Sequence, residues 1–248
     1  MKNLVILQAR MGSSRLPGKV MMRINGRPMI EWQILRIQKS NVEKIILATS
    51  TDNADDELAK TVMNLGITVF RGSPEDVHSR FTMVLEENAP EYFIRLTGDC
   101  PFTMPKLIDQ MIFNFESGNF DYLSNINPPT FPDGLDIEVI STRSFLEFSK
   151  LDLTKEEREH VTLGMRRRPE EFNIGNVMNS RDLSTMRWTV DYEEDFNFIS
   201  RIFEYFVGRE QDFTIDDILQ VIDSGIISNN IISHVFRNIS LTKGVEGV

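Results

Sequence analysis

The 248-residue chain has one cysteine, Cys100, and three histidines, His78, His160 and His234. A single thiol excludes an internal disulfide framework and any zinc site built from several cysteines. The histidines lie too far apart in sequence to form a ligand-spaced pair, which argues against a histidine-rich metal centre. No run of ~18 apolar residues occurs, so nothing reads as a membrane-spanning helix. The apolar run within residues 1–9 is interrupted by Gln8 and followed by Arg10, too short for a signal-peptide core, and the expected location is the cytoplasm. Positive charge is also scarce: 27 Lys and Arg stand against 37 Asp and Glu, a formal charge of −10. That excess argues against bulk nucleic-acid binding and against docking on an anionic membrane, but leaves room for a local basic site that takes a small anion. No internal repeat, linker or low-complexity segment is present.

What is there is ordinary for a soluble globular chain: 41% hydrophobic and 26% charged residues. The length fits one large domain, or one plus an appendage. Residues 3–8 and 44–49 are short apolar runs of the kind buried on both faces of a sheet. Residues 67–70 and 92–96 are expected as the third and fourth strands. Helices are expected over 28–39, with Ile30, Ile34 and Ile37 on one face, over a segment capped by Asp52 or Asn53 and ended by Gly66, over 76–88, and from Pro105 to Phe115. This alternation predicts a parallel sheet covered on both faces. After about residue 120 the rhythm changes. Strands are expected at 121–124, 137–140, 172–177 and 186–190, with a Pro-rich loop over 127–134, and the tail from Thr214 carries one helix with Ile218 and Ile222.

In an open α/β sheet, ligands bind beyond the carboxyl ends of the strands. The first such end carries LQARMGSSRLPGK at residues 7–19. Gly12 lets backbone approach a ligand, Ser13 and Ser14 add hydroxyls, and Arg10, Arg15 and Lys19 add three cations in ten residues of an acidic protein. Amide donors with cations suit a polyphosphate. The loop is not a Walker A sequence, because five residues separate Gly12 from Gly18 and Val20 stands where a Ser or Thr should bind magnesium, nor is it G-x-G-x-x-G. A solvated basic loop is the plainer alternative. Asp99, just past the fourth strand and preceded by Gly98, is well placed for a hard cation, or equally for a turn. Asp191 again follows an apolar strand, whereas Glu194 and Asp195 suit a helix start. Two carboxylates from distant strands converging on one magnesium is a common arrangement for phosphoryl chemistry. Asp133, Asp136 and Glu138 either line a substrate pocket or blunt a strand edge. His160 either bonds a hydroxylated substrate or caps local structure.

The stretch 7–19 resembles the amino-terminal signature of the cytidylyltransferases that activate Kdo and sialic-type sugars as CMP derivatives. It resembles more closely the SpsF-like branch, named for spore coat polysaccharide biosynthesis. Further branch signals recur in order: FRGSPED at 70–76, RLTGDCP at 95–101, PDGLDIE at 132–138, REHVT at 158–162 and RWTVD at 187–191. The resemblance implies a three-layer α/β/α nucleotide-diphosphosugar transferase fold, also called the glycosyltransferase A fold, Rossmann-like with a mixed central sheet. It implies a nucleotidyltransferase domain over 1–213, with a nucleotide-binding half to about 120 and an acceptor-binding and dimerisation half beyond it, and a helical appendage over 214–248. It implies magnesium, CTP, a small sugar-type acceptor and a homodimer. Carried over position by position, Gln8, Ala9, Arg10, Gly12, Ser13, Arg15, Lys19, Arg71 and Asp99 would bind the nucleotide. Arg15, Lys19 and Asp99 would be catalytic, and Asp99 and Asp191 would hold the metal. Asp133, Asp136, Glu138 and His160 would face the acceptor. Two departures stand out: Cys100 replaces the Glu of the Kdo enzymes' Gly-Asp-Glu, and Tyr192-Glu193 replaces their usual Thr-Pro after the aspartate. The fold also hosts glycosyltransferases that use nucleotide sugars, and a non-catalytic nucleotide-binding homologue would keep the same residues. The Arg/Lys-rich loop, and the lack of an Asp-x-Asp near Asp99, favour nucleotidyl transfer.

Overall fold

The structure is a computed structural model and describes residues 1–228. In chain order the elements are β1 (Asn3–Gln8), a 3-10 turn (Lys19–Met21), β2 (Arg23–Ile24), β3 (Arg27–Pro28), α1 (Met29–Ile37), β4 (Ile45–Ser50), a second 3-10 turn (Asn53–Asp55), α2 (Asp56–Asn64), β5 (Thr68–Gly72), α3 (Val77–Asn88), β6 (Tyr92–Thr97) and α4 (Pro105–Ser117). The second half contributes β7 (Tyr122–Ser124), β8 (Glu138–Ser141), α5 (Thr142–Phe148), α6 (Lys155–Glu159), α7 (Leu163–Arg166), β9 (Ile174–Asn176), α8 (Glu193–Tyr205) and α9 (Ile215–Asp223).

Among the described residues, seven strands form one sheet in the order β5-β4-β1-β6-β8-β7-β9. β1 lies parallel between β4 and β6, and β5 extends the parallel half. β8 joins β6 antiparallel, β7 joins β8 antiparallel, and β9 joins β7 parallel, so the sheet is mixed. Successive strand residues point to opposite faces, and both faces are covered. Val5, Leu7, Leu47, Ile94 and Leu96 pack with α1, α2, α4, α8 and α9 in one core cluster. Leu4, Ile6, Ile46, Ala48 and Phe93 pack with α3, α5 and the 161–165 segment in the other. The result is the three-layer mixed α/β fold that the sequence predicts.

Two differences have physical reasons. Residues 186–190 do not form a strand of the sheet. Arg187 makes only an isolated bridge with Asp133, and the segment is an extended strap bonded on both sides: Trp188 N donates to Asp133 O at 2.6 Å and Val190 N to Asp99 O at 2.9 Å. Gly134 lets the strap approach, since its φ is +105° and a Cβ there would lie 2.5 Å from the Trp188 carbonyl carbon. The short helices α5, α6 and α7, and the two-residue strands β2 and β3, have no counterpart in the sequence reading. In the tail, α9 starts at the capping box of Thr214 and Asp217 and buries Ile218, Leu219 and Val221 rather than Ile222. The stretch beyond residue 228, with His234, lies outside the described residues.

Candidate active site

The carboxyl ends of β1 and β6 are brought together by small residues. Gly98 N donates to Gln8 O at 2.8 Å, and a Cβ on Gly98 would meet Ala9 Cβ at 2.6 Å. The turn after β6 is fixed from behind by α1. Gln33, fully buried, donates to Thr97 O at 2.9 Å and Thr103 Oγ1 at 3.0 Å. Arg36, also fully buried, donates to Thr103 O at 2.8 Å, Glu210 O at 2.8 Å and Phe213 O at 2.9 Å. These bonds fix the position of Asp99.

The loop after β1 is folded by its own bonds. Met11 N donates to Asp55 Oδ1 at 2.6 Å and Gly18 N to Met11 O at 3.0 Å. Gly18 takes φ +72°, the left-handed region that glycine occupies without steric cost. This turn ends the loop and sends Lys19 back under it, where the side chain is buried. An open cleft of about 260 Å³ results, lined by Gln8, Ala9, Arg10, Gly12, Ser13, Ser14, Arg15, Lys19, Arg80, Thr97, Gly98, Asp99 and Asp191, among others.

Charge is concentrated at one end of this cleft. Lys19 Nζ donates to Asp99 Oδ2 at 3.1 Å, Asp191 Oδ1 at 2.9 Å and Val190 O at 2.6 Å. Arg15 reaches Asp191 Oδ1 at 2.8 Å and lies over the Tyr192 ring. Arg187 takes Asp191 Oδ2 at 2.9 Å, Asp133 Oδ2 at 2.9 Å and Asp195 Oδ1 at 3.0 Å. Burial would push the carboxyl of Asp191 up, but Lys19 and Arg15 hold it down at about 2. Asp99 is lowered in the same way: burial opposes ionisation, and Lys19 outweighs it. Burial also works against the Lys19 ammonium, yet Asp99 and Asp191 raise its pKa above the usual lysine value. At neutral pH the cluster is therefore fully ionised.

The two carboxylates converge closely enough to share one cation, because both touch the same ammonium. Their oxygens are the hard donors that magnesium or manganese takes. Among the described residues no group of three or more His, Cys, Asp or Glu is placed to hold a metal. The other ligands would therefore be phosphate oxygens and water, which is how magnesium is usually bound.

The remaining expected residues divide. Arg10 is exposed at the cleft, while Arg71 lies outside its lining and is tied to the end of β4 by Ser50 O and Asp52 O, both at 2.8 Å, and by Asp56. Asp133 is paired with Arg187, and Asp136 is half-buried. Glu138 is buried at the start of β8, in register with Arg95 of β6. Its Oε1 accepts from Tyr122 and Thr162, each at 2.6 Å, and Oε2 pairs with Arg95, which also reaches Gln8 Oε1 at 3.1 Å. Burial would raise the Glu138 carboxyl, but Arg95 and then Arg166 bring it down to about 2. His160 is half-buried, and burial lowers its pKa. Sequence reasoning missed Arg187 and Arg80. Arg187 binds partners as far away as Asp133, which spacing cannot reveal. Arg80 leaves a readable trace, a cation on the buried stripe of α3 formed by Val77, Phe81, Val84 and Leu85.

Comparison with known proteins identifies the family and the fold. The family described as Cytidylyltransferase matches residues 4–213. The chain is 32% identical over 229 residues to the spore coat polysaccharide biosynthesis protein SpsF of Bacillus subtilis, covering 89% of this chain and 93% of that protein. A cytidylyltransferase from Leptospira borgpetersenii superposes with a TM-score of 0.87 at 30% identity, covering 94% of this chain and 100% of the other. A CMP:2-keto-3-deoxy-manno-octonic acid synthetase solved with CTP shares the fold, with a TM-score of 0.64 at 17% identity over 83% of this chain and 99% of that one. The loop, the paired aspartates and the mixed sheet thus occur in a chain that belongs to the cytidylyltransferase family, and the protein is a nucleotidyltransferase.

Proposed function

We propose that the protein transfers CMP from CTP to a sugar acid, or to a phosphorylated sugar or polyol. Pyrophosphate is released, and the product is an activated CMP or CDP precursor for a surface polysaccharide or glycan. The observation that carries this reading is the convergence of Arg15, Lys19, Asp99 and Asp191 at one end of the cleft. The SpsF relative, a spore coat polysaccharide biosynthesis protein, supports the product class.

An acceptor oxygen, already ionised when it belongs to a phosphate and giving up its proton to water when it is a hydroxyl, attacks the α-phosphorus of CTP, the bond from that phosphorus to the bridging oxygen breaks, and pyrophosphate leaves with the electron pair. Arg15 and Lys19 neutralise the charge that grows on the leaving oxygens, and the loop amides with Ser13 hold the triphosphate in line. Catalysis here is mainly positioning and charge stabilisation. Asp99 and Asp191 would hold a divalent cation, magnesium in this reading, which supplies Lewis-acid polarisation of the phosphate oxygens. Both aspartates are ionised well below neutral pH, so neither is tuned as a strong general base. Gln8, Ala9, Arg10, Gly12 and Arg71 belong to the nucleotide half, about 1–120. Asp133, Asp136, Glu138 and His160 belong to the acceptor half, about 121–213, which also forms a homodimer in this proposal. The enzyme acts in the cytoplasm, where its nucleotide is made.

The test is pyrophosphate release with magnesium and each of the four NTPs, against a panel of sugar acids, sugar phosphates and polyol phosphates. The expected result is release with CTP and one acceptor class. Preference for another NTP across the panel would overturn the nucleotide assignment.

A further inference from the structure

Arg80 is 1% exposed, yet it lines the cleft. Its Nε and Nη2 are buried with no hydrogen-bond partner among the described residues. A buried polar group without a partner costs roughly 1–3 kcal/mol, more when charged, and such groups are rare in native proteins. The neighbouring carboxylates are already occupied. Asp55 accepts from Met11 N and from Ser50, and Asp76 caps α3 through Ser79 N and pairs with Arg158. Burial and the nearby Arg10 both work against the Arg80 charge. The side chain is nevertheless held in place. Its stem lies on Gly72 at the end of β5, where a Cβ would meet Arg80 Cγ at 2.7 Å. Gly72 is not in the left-handed region, so the glycine leaves room rather than a turn.

The position of Arg80 indicates the part of the ligand it meets. The Lys19, Asp99 and Asp191 cluster sits beyond β6, on one side of β1. Arg80 sits on α3 over β5 and β4, on the other side. With strands ~4.8 Å apart, β5 is three spacings, roughly 14 Å, from β6, so the root of Arg80 lies well away from the Lys19 cluster. The cleft is also lined by the small residues Ala9 and Gly12, and a Cβ on Gly12 would meet nothing within 4 Å, which leaves space for a flat ring.

We infer that Arg80 reads the base edge of the nucleotide, donating to the adjacent O2 and N3 of cytosine. This rests on the CTP reading above. A guanidinium carries parallel N–H donors and no acceptor. Cytosine offers two neighbouring acceptors to that fork, whereas uracil presents an N3–H that faces it donor to donor. Arg80 is thus a specificity residue for CTP over UTP. A site built on hydrogen bonds rejects the analogue that cannot complete them by up to about 10⁴-fold.

The test compares wild type with Arg80→Lys, titrated with CTP, UTP and inorganic tripolyphosphate in magnesium by calorimetry. Arg80→Lys keeps one charge but loses the planar fork. The expected result is that wild type prefers CTP over UTP, that the variant loses at least about tenfold of that preference, and that tripolyphosphate affinity is unchanged. Unchanged tripolyphosphate binding also shows that the variant is folded. Gly72→Ala is the second variant: it displaces the Arg80 stem without removing the charge, and is expected to lower the CTP preference in the same direction. Equal losses for CTP, UTP and tripolyphosphate would make Arg80 a phosphate contact and overturn the inference, as would an unchanged CTP-to-UTP ratio in both variants. A wild type that binds CTP no better than tripolyphosphate would instead overturn the CTP reading itself.

Discussion

Replacing Lys19 by Met removes the ammonium that three oxygens share, at 3.1, 2.9 and 2.6 Å. At an effective dielectric of ~20, unit charges ~3 Å apart attract by roughly 5 kcal/mol, and desolvation offsets much of it. Breaking a buried pair by deleting one partner costs about 3–5 kcal/mol. The Asp99 side chain is 30% exposed, so water takes over part of the role and the low end, about 3 kcal/mol, applies. For a chain of this size that is roughly 6–12 °C in melting midpoint. The pH dependence has a definite sign. Asp191 titrates at about 2 in the folded protein and Asp99 is also lowered, while unfolded aspartate titrates near ~3.9. A lowered carboxyl contributes stability that is present above the unfolded value and lost as pH falls through the folded one. The gap between wild type and Lys19→Met should be full at pH 7 and shrink between about pH 4 and 2. Urea unfolding followed by tryptophan fluorescence at pH 7, 5 and 3 measures it. Millimolar magnesium should raise the variant's midpoint more than the wild type's, because two carboxylates are left facing one another. Equal stability at pH 7, or a gap of the same size at pH 3, would refute the reasoning.

Other consequences concern neighbouring parts of the site. Asp99→Asn should reduce turnover by at least about 10²-fold with the melting midpoint changed by only a few degrees; near-normal turnover would remove Asp99 from the chemistry. Gly134→Ala forces a Cβ to within 2.5 Å of the strap at φ +105°, and should cost about 3 kcal/mol in urea unfolding and lower activity as well, since the strap carries Asp191. Arg36→Met leaves the carbonyls of Thr103, Glu210 and Phe213 without their donor and should cost about 3 kcal/mol; a loss under 1 kcal/mol would mean that water replaces the guanidinium.

The parallel half of the sheet is legible in the sequence because β1 and β4 are buried on both faces and read as continuous apolar runs. The loop after β1 is legible because its cations stand out in an acidic chain. The second half is less so. Helices α5, α6 and α7 span seven, five and four residues, too short for a helical period to register. The strap at 186–190 reads as a strand because apolar Met186, Trp188 and Val190 alternate with polar Arg187 and Thr189, yet its bonds go to Asp133 and Asp99 rather than to a ladder. The role of Arg187 depends on contacts 54 residues away in sequence. Arg80 shows in the sequence only as a cation on the apolar stripe of α3. Its burial and its missing partners become visible only in three dimensions.

The central claim is that CTP and a divalent cation meet between Asp99 and Asp191, at the shared end of β1 and β6. Crystals grown with CTP and manganese, measured at the manganese absorption edge, test it most directly. The account predicts an anomalous peak within coordination distance of both carboxylates and of a CTP phosphate oxygen, with the Lys19 ammonium turned from the carboxylates to the triphosphate. A nucleotide bound elsewhere, or a manganese peak that does not touch Asp99, would contradict it.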